Sequence, residues 1–275
     1  MNPHAEPPAS LQGMFRTLWV HRQLIARMSR REVIGRYRGS ALGLVWSFLT
    51  PLFMLAIYTF VFSVVFKARW GTEEESRTQF AVVLFAGLIV HSIFAEVINR
   101  APQLVLVNVN YVKKVVFPLE ILPVIQLVAA TFHGLVSVVV LLVAKFFLTG
   151  SVPVTAVFFP IVILPLLILI MGLSWGLASL GVFARDVGQT IGLITSVMLF
   201  MSPVFFPIQS LPDFLQPWMQ LNPLTFIIEQ MREVLVWGRQ PQWFGLLVYG
   251  LLALAVAWLG FAWFQKTRKG FADVL

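Results

Sequence analysis

From Gly39 to Phe66 no residue carries a charge, and five further stretches of the chain are nearly as apolar. A helix needs about 20 such residues to cross about 30 Å of hydrocarbon. The six stretches run over about 42–66, 80–98, 121–148, 154–183, 187–206 and 243–264. Each is too long and too continuous for a barrel strand, which alternates in polarity. A helix also satisfies its own backbone groups in lipid. The sequence therefore predicts an all-α integral membrane protein with six transmembrane helices in a single domain, residues 39–275. Composition agrees: 12% of residues are charged and 59% hydrophobic, against roughly 25% and 45–50% in soluble domains. Disorder, a coiled coil and a typical soluble enzyme are excluded. Cysteine is absent, which removes disulfides and thiolate metal sites.

Six crossings place both termini on one side. With that side taken as the cytoplasm, 14 cations fall inside and 5 outside, and Lys145 lies within the membrane. Cytoplasmic flanks carry the excess of Lys and Arg, so both termini are expected to be cytoplasmic. The net charge of +8 then belongs to membrane orientation, and no nucleic-acid partner is expected. The fourth and fifth stretches are separated only by Ala184–Arg185–Asp186, which demands a tight turn. Pro51, Pro160 and Pro165 fall inside stretches and predict kinks, because each lacks a backbone donor.

The segments between spans are informative. Residues 1–10 read as a flexible tail. Over residues 11–38, Leu11, Met14, Phe15, Leu18 and Ile25 recur at helical spacing among arginines, the pattern of an amphipathic helix on the membrane surface. Its arginines either anchor orientation by binding anionic lipid or, at Arg36 and Arg38, meet an anionic substrate headgroup. The planar guanidinium donates two bonds at once to a phosphate. Residues 99–118, with Asn99, Arg100, Asn110, Tyr111, Lys113 and Lys114, are long for a structureless loop. They predict a short helix, which either docks on a partner or rests on lipid. Residues 207–242 are too broken by proline to span and too apolar for water. They predict short helices that re-enter the membrane on the outer side, an outer lid that includes Phe214, Trp218, Asn222, Phe226 and Arg232.

Several chemistries are missing. There is no Gly-Lys dipeptide, so no phosphate-cradling G-x-x-x-x-G-K-[ST] loop exists. The four histidines, His4, His21, His91 and His133, show no paired ligand spacing, and no metal site is expected. His91, Glu96, His133 and Lys145 are ionisable groups at membrane depth, where such residues are costly and often functional. Glu96 and Lys145 lie near span ends, and the expectation for both is snorkelling. Gly39–Gly43 and Gly172–Gly176 each fit a G-x-x-x-G helix contact. Trp46 and Trp243 fit an interfacial belt, while other aromatics offer faces for sugar rings.

Several strings occur in a telling order. Arg36–Leu52 (RYRGSALGLVWSFLTPL) resembles the approach to the first span of bacterial polysaccharide ABC exporter permeases. Asn110–Pro123 (NYVKKVVFPLEILP) resembles their segment between spans two and three. Ala184–Gln189 (ARDVGQ) and Ser202–Pro207 (SPVFFP) resemble the two ends of their fifth span. Asn222–Glu233 (NPLTFIIEQMRE) resembles their outer segment, and Phe271–Leu275 (FADVL) a common ending. The family exports O-antigen, capsular polysaccharide and teichoic acid. The resemblance implies a homodimer in the bacterial inner membrane, moving a lipid-linked polysaccharide. It implies two copies of a separate ABC ATPase that bind ATP and Mg, so this chain is not itself an enzyme and binds no cofactor. It assigns the 99–118 segment to ATPase coupling and the outer segment to gating. Two alternatives stand beside it: an ABC permease exporting a small drug or lipid, and a membrane enzyme acting on lipid-linked sugar. The latter needs convergent carboxylates, and the spans offer only Glu96.

Overall fold

A computed structural model describes residues 9–65, 77–113 and 117–275, and every regular element among them is helical. In chain order these are α1 (Leu11–Val20), α2 (Arg22–Arg36), α3 (Trp46–Tyr58), α4 (Arg77–Arg100), α5 (Val109–Lys113), α6 (Ile121–Thr149), α7 (Phe159–Phe183), α8 (Val187–Phe200), α9 (Gln216–Gln220), α10 (Pro223–Arg232), α11 (Trp243–Thr267) and α12 (Phe271–Val274). Counting the 3-10 and π turns that extend them, five helices are long and apolar enough to cross a membrane: Gly43–Phe62, Gln79–Gln103, Ile121–Thr149, Val154–Phe183 and Trp243–Val274. The fifth expected stretch, 187–206, yields a shorter apolar helix of 14 residues, α8. Met201 leaves the helical region, and irregular backbone follows.

The bundle has two apolar cores. The larger joins α4, the middle of α6, the first half of α7 and α10 through Val83, Leu84, Leu141, Leu166, Ile170, Leu224 and Ile227, all under 1% exposed. The smaller lies at the other end, where Met14 and Ile25 pack with Ile121, Trp175, Phe261, Phe264 and Phe271. Trp175 buries its ring there and donates its indole N–H to the Glu120 carbonyl at 2.8 Å.

α7 and α11 pack at backbone distance. A Cβ on Gly260 would stand 2.0 Å from the Gly172 carbonyl oxygen, and one on Gly172 would stand 2.6 Å from the Ala257 Cα. Small residues at such crossings replace the hydrophobic drive that lipid cannot supply. Gly176 has nothing within 4 Å, so of the spaced pair only Gly172 makes the close helix contact, with Ala257 and Gly260 on α11. Gly39 and Gly43 are not a helix contact at all. They sit at φ 87° and 50° in the turn between α2 and α3, a left-handed conformation natural to glycine.

Two further expectations change. The single amphipathic helix over 11–38 is broken at His21, whose φ of −93° and ψ of 9° end α1 and begin α2. Met14 and Ile25 turn into the bundle, while Leu11, Phe15 and Trp19 face outward. Pro160 lies in the first turn of α7, where no intrahelical donor is missed. It starts the helix rather than kinking it. Pro51 and Pro165 lie inside α3 and α7 as expected. The expected tail, apart from residues 9 and 10, and Lys114 lie outside the described residues.

The helices differ sharply in cover. The apolar window of α4 is 83% buried, whereas that of the helix containing α3 is 11% buried. One is the centre of the bundle; the other leaves most of its residues exposed.

Candidate functional site

The turn after α2 swings the chain beneath α3, so the end of α2 meets α4 and α6. Arg36 is carried there. Its Nη2 donates to Glu96 Oε1 at 2.7 Å and its Nη1 donates to His133 Nδ1 at 2.8 Å. Arginine has donors only, so His133 Nδ1 is the acceptor and the ring proton sits on Nε2. That Nε2 is buried with no hydrogen-bond partner among the described residues. The 3.6 Å separation of His133 Nδ1 and Glu96 Oε1 is therefore proximity rather than a second hydrogen bond. Tyr37 closes the cluster, edge-on to the His133 ring at 5.9 Å.

This cluster forms one end of a cavity of about 440 Å³ between α3, α4 and α6. Polar groups at its walls include Thr50, Tyr58, Ser92 and Ser137; Met54, Phe85 and Ile89 supply apolar surface. The volume lies within the ~300–1,000 Å³ usual for ligand sites. A guanidinium shared between a carboxylate and an imidazole is a cation already in use. A stronger anion at this point competes with Glu96 for the same fork.

Glu96 thus forms an ion pair inside the bundle rather than snorkelling. Its partners Arg36 and His133 are 60 and 37 residues away, too distant for local periodicity to reveal. Arg38 is exposed in the turn and does not line the cavity. The two arginines are therefore separated. Lys145 also departs from snorkelling. It is buried and donates to the Val236 carbonyl, holding the π turn Glu233–Trp237.

The 99–118 segment divides into two parts. Asn99 accepts from the Thr195 hydroxyl at 2.8 Å, and His91 Nε2 donates to the Thr195 carbonyl at 3.1 Å, so α4 grips α8. Arg100 reaches Glu32 and Gln126, each at 3.4 Å. The 3-10 turn Ala101–Gln103 packs under α7, where a Cβ on Gly181 would lie 2.1 Å from the Pro102 carbonyl oxygen. Beyond this anchored part, α5 presents Asn110 and Lys113 to the exterior, and Tyr111 stacks on Phe117 with centroids 4.3 Å apart.

At the opposite end lie α9 and α10. Asn222 caps α10 by accepting from the Leu224 N–H at 2.9 Å and donates to the Met201 carbonyl at 2.8 Å. Phe226 stacks on Tyr249. Arg232 is 4% exposed and donates to the carbonyls of Val83 and Val204, each at 3.1 Å. It ties α10 to the start of α4 and to the irregular backbone after α8. Phe214 and Trp218 remain exposed. The ion pair of Arg268 with Glu120 at 2.9 Å and the hydrogen bond between Ser179 and Thr267 at 2.7 Å carried no sequence signal, since each joins residues far apart in the chain.

Comparison with known proteins follows the same lines. A family model described as ABC-2 type transporter matches residues 23–236. The O-antigen export system permease protein RfbA of Myxococcus xanthus is 24% identical over 262 residues, covering 94% of this chain and 98% of that protein. The protein of that name from Klebsiella pneumoniae is 24% identical over 255 residues, covering 92% and 95%. The polysialic acid transport protein KpsM of Escherichia coli is 23% identical over 260 residues, covering 91% and 95%.

Proposed function

The chain belongs to the ABC-2 type transporter family, and on that premise we propose that it is the membrane-spanning subunit of an exporter for lipid-linked polysaccharide, driven by ATP hydrolysis on a separate subunit. The observation that carries the polymer reading is end-to-end similarity to O-antigen export permeases and a polysialic acid transport protein, at 91–94% of this chain. In this reading α8 and the irregular backbone after it make the sixth crossing, α1 rests at the inner membrane surface, and both termini are cytoplasmic. The cation bias of 14 to 5 supports that orientation.

Two copies of the chain form the pathway. The support is the bare surface of α3: a polar polymer needs a route lined by protein, and a helix 11% buried has surface for a second subunit. Arg36 receives the anionic headgroup of the lipid carrier, which displaces Glu96 from its fork. α5, with Asn110, Tyr111 and Lys113, docks on the ATPase, and Lys114, outside the described residues, is assigned to the same surface. Asn99 and Arg100 pass its movement to α8 and α2. Phe214, Trp218, Asn222, Phe226 and Arg232 belong to the outer gate.

Cells lacking the chain provide the test. Polymer accumulating inside them, with polymer lost from the surface, is the expected result. Unchanged surface polymer together with new sensitivity to small toxic compounds points instead to a drug exporter, which the shared fold also permits.

A further inference from the structure

One guanidinium serves two groups where α2, α4 and α6 meet. Arg36 donates to Glu96 Oε1 at 2.7 Å and to His133 Nδ1 at 2.8 Å. The same Oε1 lies 3.6 Å from His133 Nδ1. The Nδ1 lone pair is thus spent on Arg36, and the one ring proton sits on Nε2. Among the described residues Glu96 has no further ion-pair partner. Around His133, α2 and the turn after it bring Arg36 and Tyr37, and α4 brings Glu96. The ionisable side chain of α3 is Tyr58, which lines the cavity, and α7 has none. α6 itself adds Lys145, twelve residues on and bonded to the Val236 carbonyl. Elsewhere on α4, Arg100 is engaged by Glu32 and Gln126, and His91 by Thr195 on α8.

This arrangement contains a second one. An anion that takes the Arg36 fork leaves Glu96 beside a new negative charge with no cation of its own, the costly case of a broken pair. The same event frees Nδ1, 3.6 Å from the abandoned oxygen. A proton from water on Nδ1 makes an imidazolium. Side-chain movement of less than about 1 Å then closes the gap to the ~2.8 Å of a charged N–H···O bond. Histidine is the side chain that ordinarily changes charge near neutral pH, so the uptake needs no extreme condition. We propose that His133 is the substitute partner of Glu96: when a phosphate head takes Arg36, His133 takes up one proton and holds Glu96 in its place. Charge balances, because Arg36 keeps its charge for the phosphate while the imidazolium replaces it at Glu96. On release Arg36 returns to both groups and the proton leaves. Head and proton therefore favour each other's binding, a reciprocal coupling. The inference rests on the headgroup reading of Arg36 and deepens it.

Removing Arg36 imitates its departure, so the exchange of partners is readable without a ligand. Thermal melts compare the full wild-type chain with Arg36→Met in lipid nanodiscs. The Tm deficit of the variant should shrink by half or more between about pH 8 and about pH 6, because protonating His133 stabilises the variant and weakens the wild-type cluster. Arg36→Met with His133→Gln should keep its full deficit at both pH values. Infrared difference spectra of Arg36→Met, which need no change at His133, should show Glu96 still ionised at the lower pH. A deficit that does not shrink, one that shrinks equally without His133, or a protonated-carboxyl band that Glu96→Gln removes overturns the proposal. Calorimetry with inorganic pyrophosphate, in buffers of different ionisation enthalpy, tests the loaded state. Wild type should take up about one proton more per bound pyrophosphate than His133→Gln does, and equal uptake also overturns the proposal. The expected melts without any pyrophosphate binding reject Arg36 as the headgroup receiver and leave the exchange of partners standing.

Discussion

Arg36 Nη2 and Glu96 Oε1 are 2.7 Å apart although 60 residues separate them in the chain. The pair fastens α2, a helix outside the spans, to the loop end of α4. Both side chains are partly exposed, at 32% and 20%, so removing one partner costs less than it does in a fully buried pair.

Arg36→Met should strand Glu96 and destabilise the protein by about 1–2 kcal/mol, below the 3–5 kcal/mol of a fully desolvated pair. Adding Glu96→Gln removes the stranded charge and should recover most of that loss. If Arg36 also meets the substrate headgroup, the double variant should regain its melting temperature and remain defective in polymer export. Recovery of both properties leaves Arg36 a purely structural role.

Gly260→Ala should be strongly disruptive, since its Cβ would lie 2.0 Å from the Gly172 carbonyl oxygen. Backbone must move, at about 1–3 kcal/mol or more, lowering the Tm. Gly176→Ala meets nothing within 4 Å and should be neutral or slightly stabilising. Thermal melts of the two variants side by side check this.

This pair of glycines shows where sequence reading succeeds and stops. Long charge-free runs located the helices, because crossing hydrocarbon needs length and apolarity, both local properties. Pairing is not local. The spacing Gly172–Gly176 predicts a helix contact but not its partner: Gly172 alone makes it, against Gly260 far along the chain. Gly39 and Gly43 fitted the same spacing and proved to be left-handed turn residues. Arg36 was singled out by its position at the mouth of the first span, but its partners Glu96 and His133 come from two other helices. The break at His21 leaves no mark in helical periodicity, whereas the end of α8 at Phe200 precedes Pro203, which disfavours helix in the residue before it.

Arg232→Met should cost about 2–4 kcal/mol, because it removes the charged donor that the Val83 and Val204 carbonyls accept from in a buried place. Arg232→Lys should rescue little, since one ammonium does not reproduce a fork reaching two carbonyls. Proteolysis of the outer segment in nanodiscs, faster in both variants than in wild type, is the expected reading.

Lys113→Glu reverses an exposed charge at the end of α5. The fold should be unaffected, with Tm within about 1 °C of wild type, as for surface changes. Recovery of the ATPase with the tagged chain, or ATP hydrolysis stimulated by substrate, should fall several-fold. Unchanged recovery and unchanged stimulation remove α5 from the coupling surface.

The most direct measurement reconstitutes the chain with its ATPase in sealed vesicles and follows lipid-linked polymer across the bilayer. The account predicts movement that requires both subunits and hydrolysable ATP, and that falls at least tenfold when either is omitted. Polymer crossing at the same rate without ATP or without the ATPase, or no crossing while a small drug is transported, contradicts it.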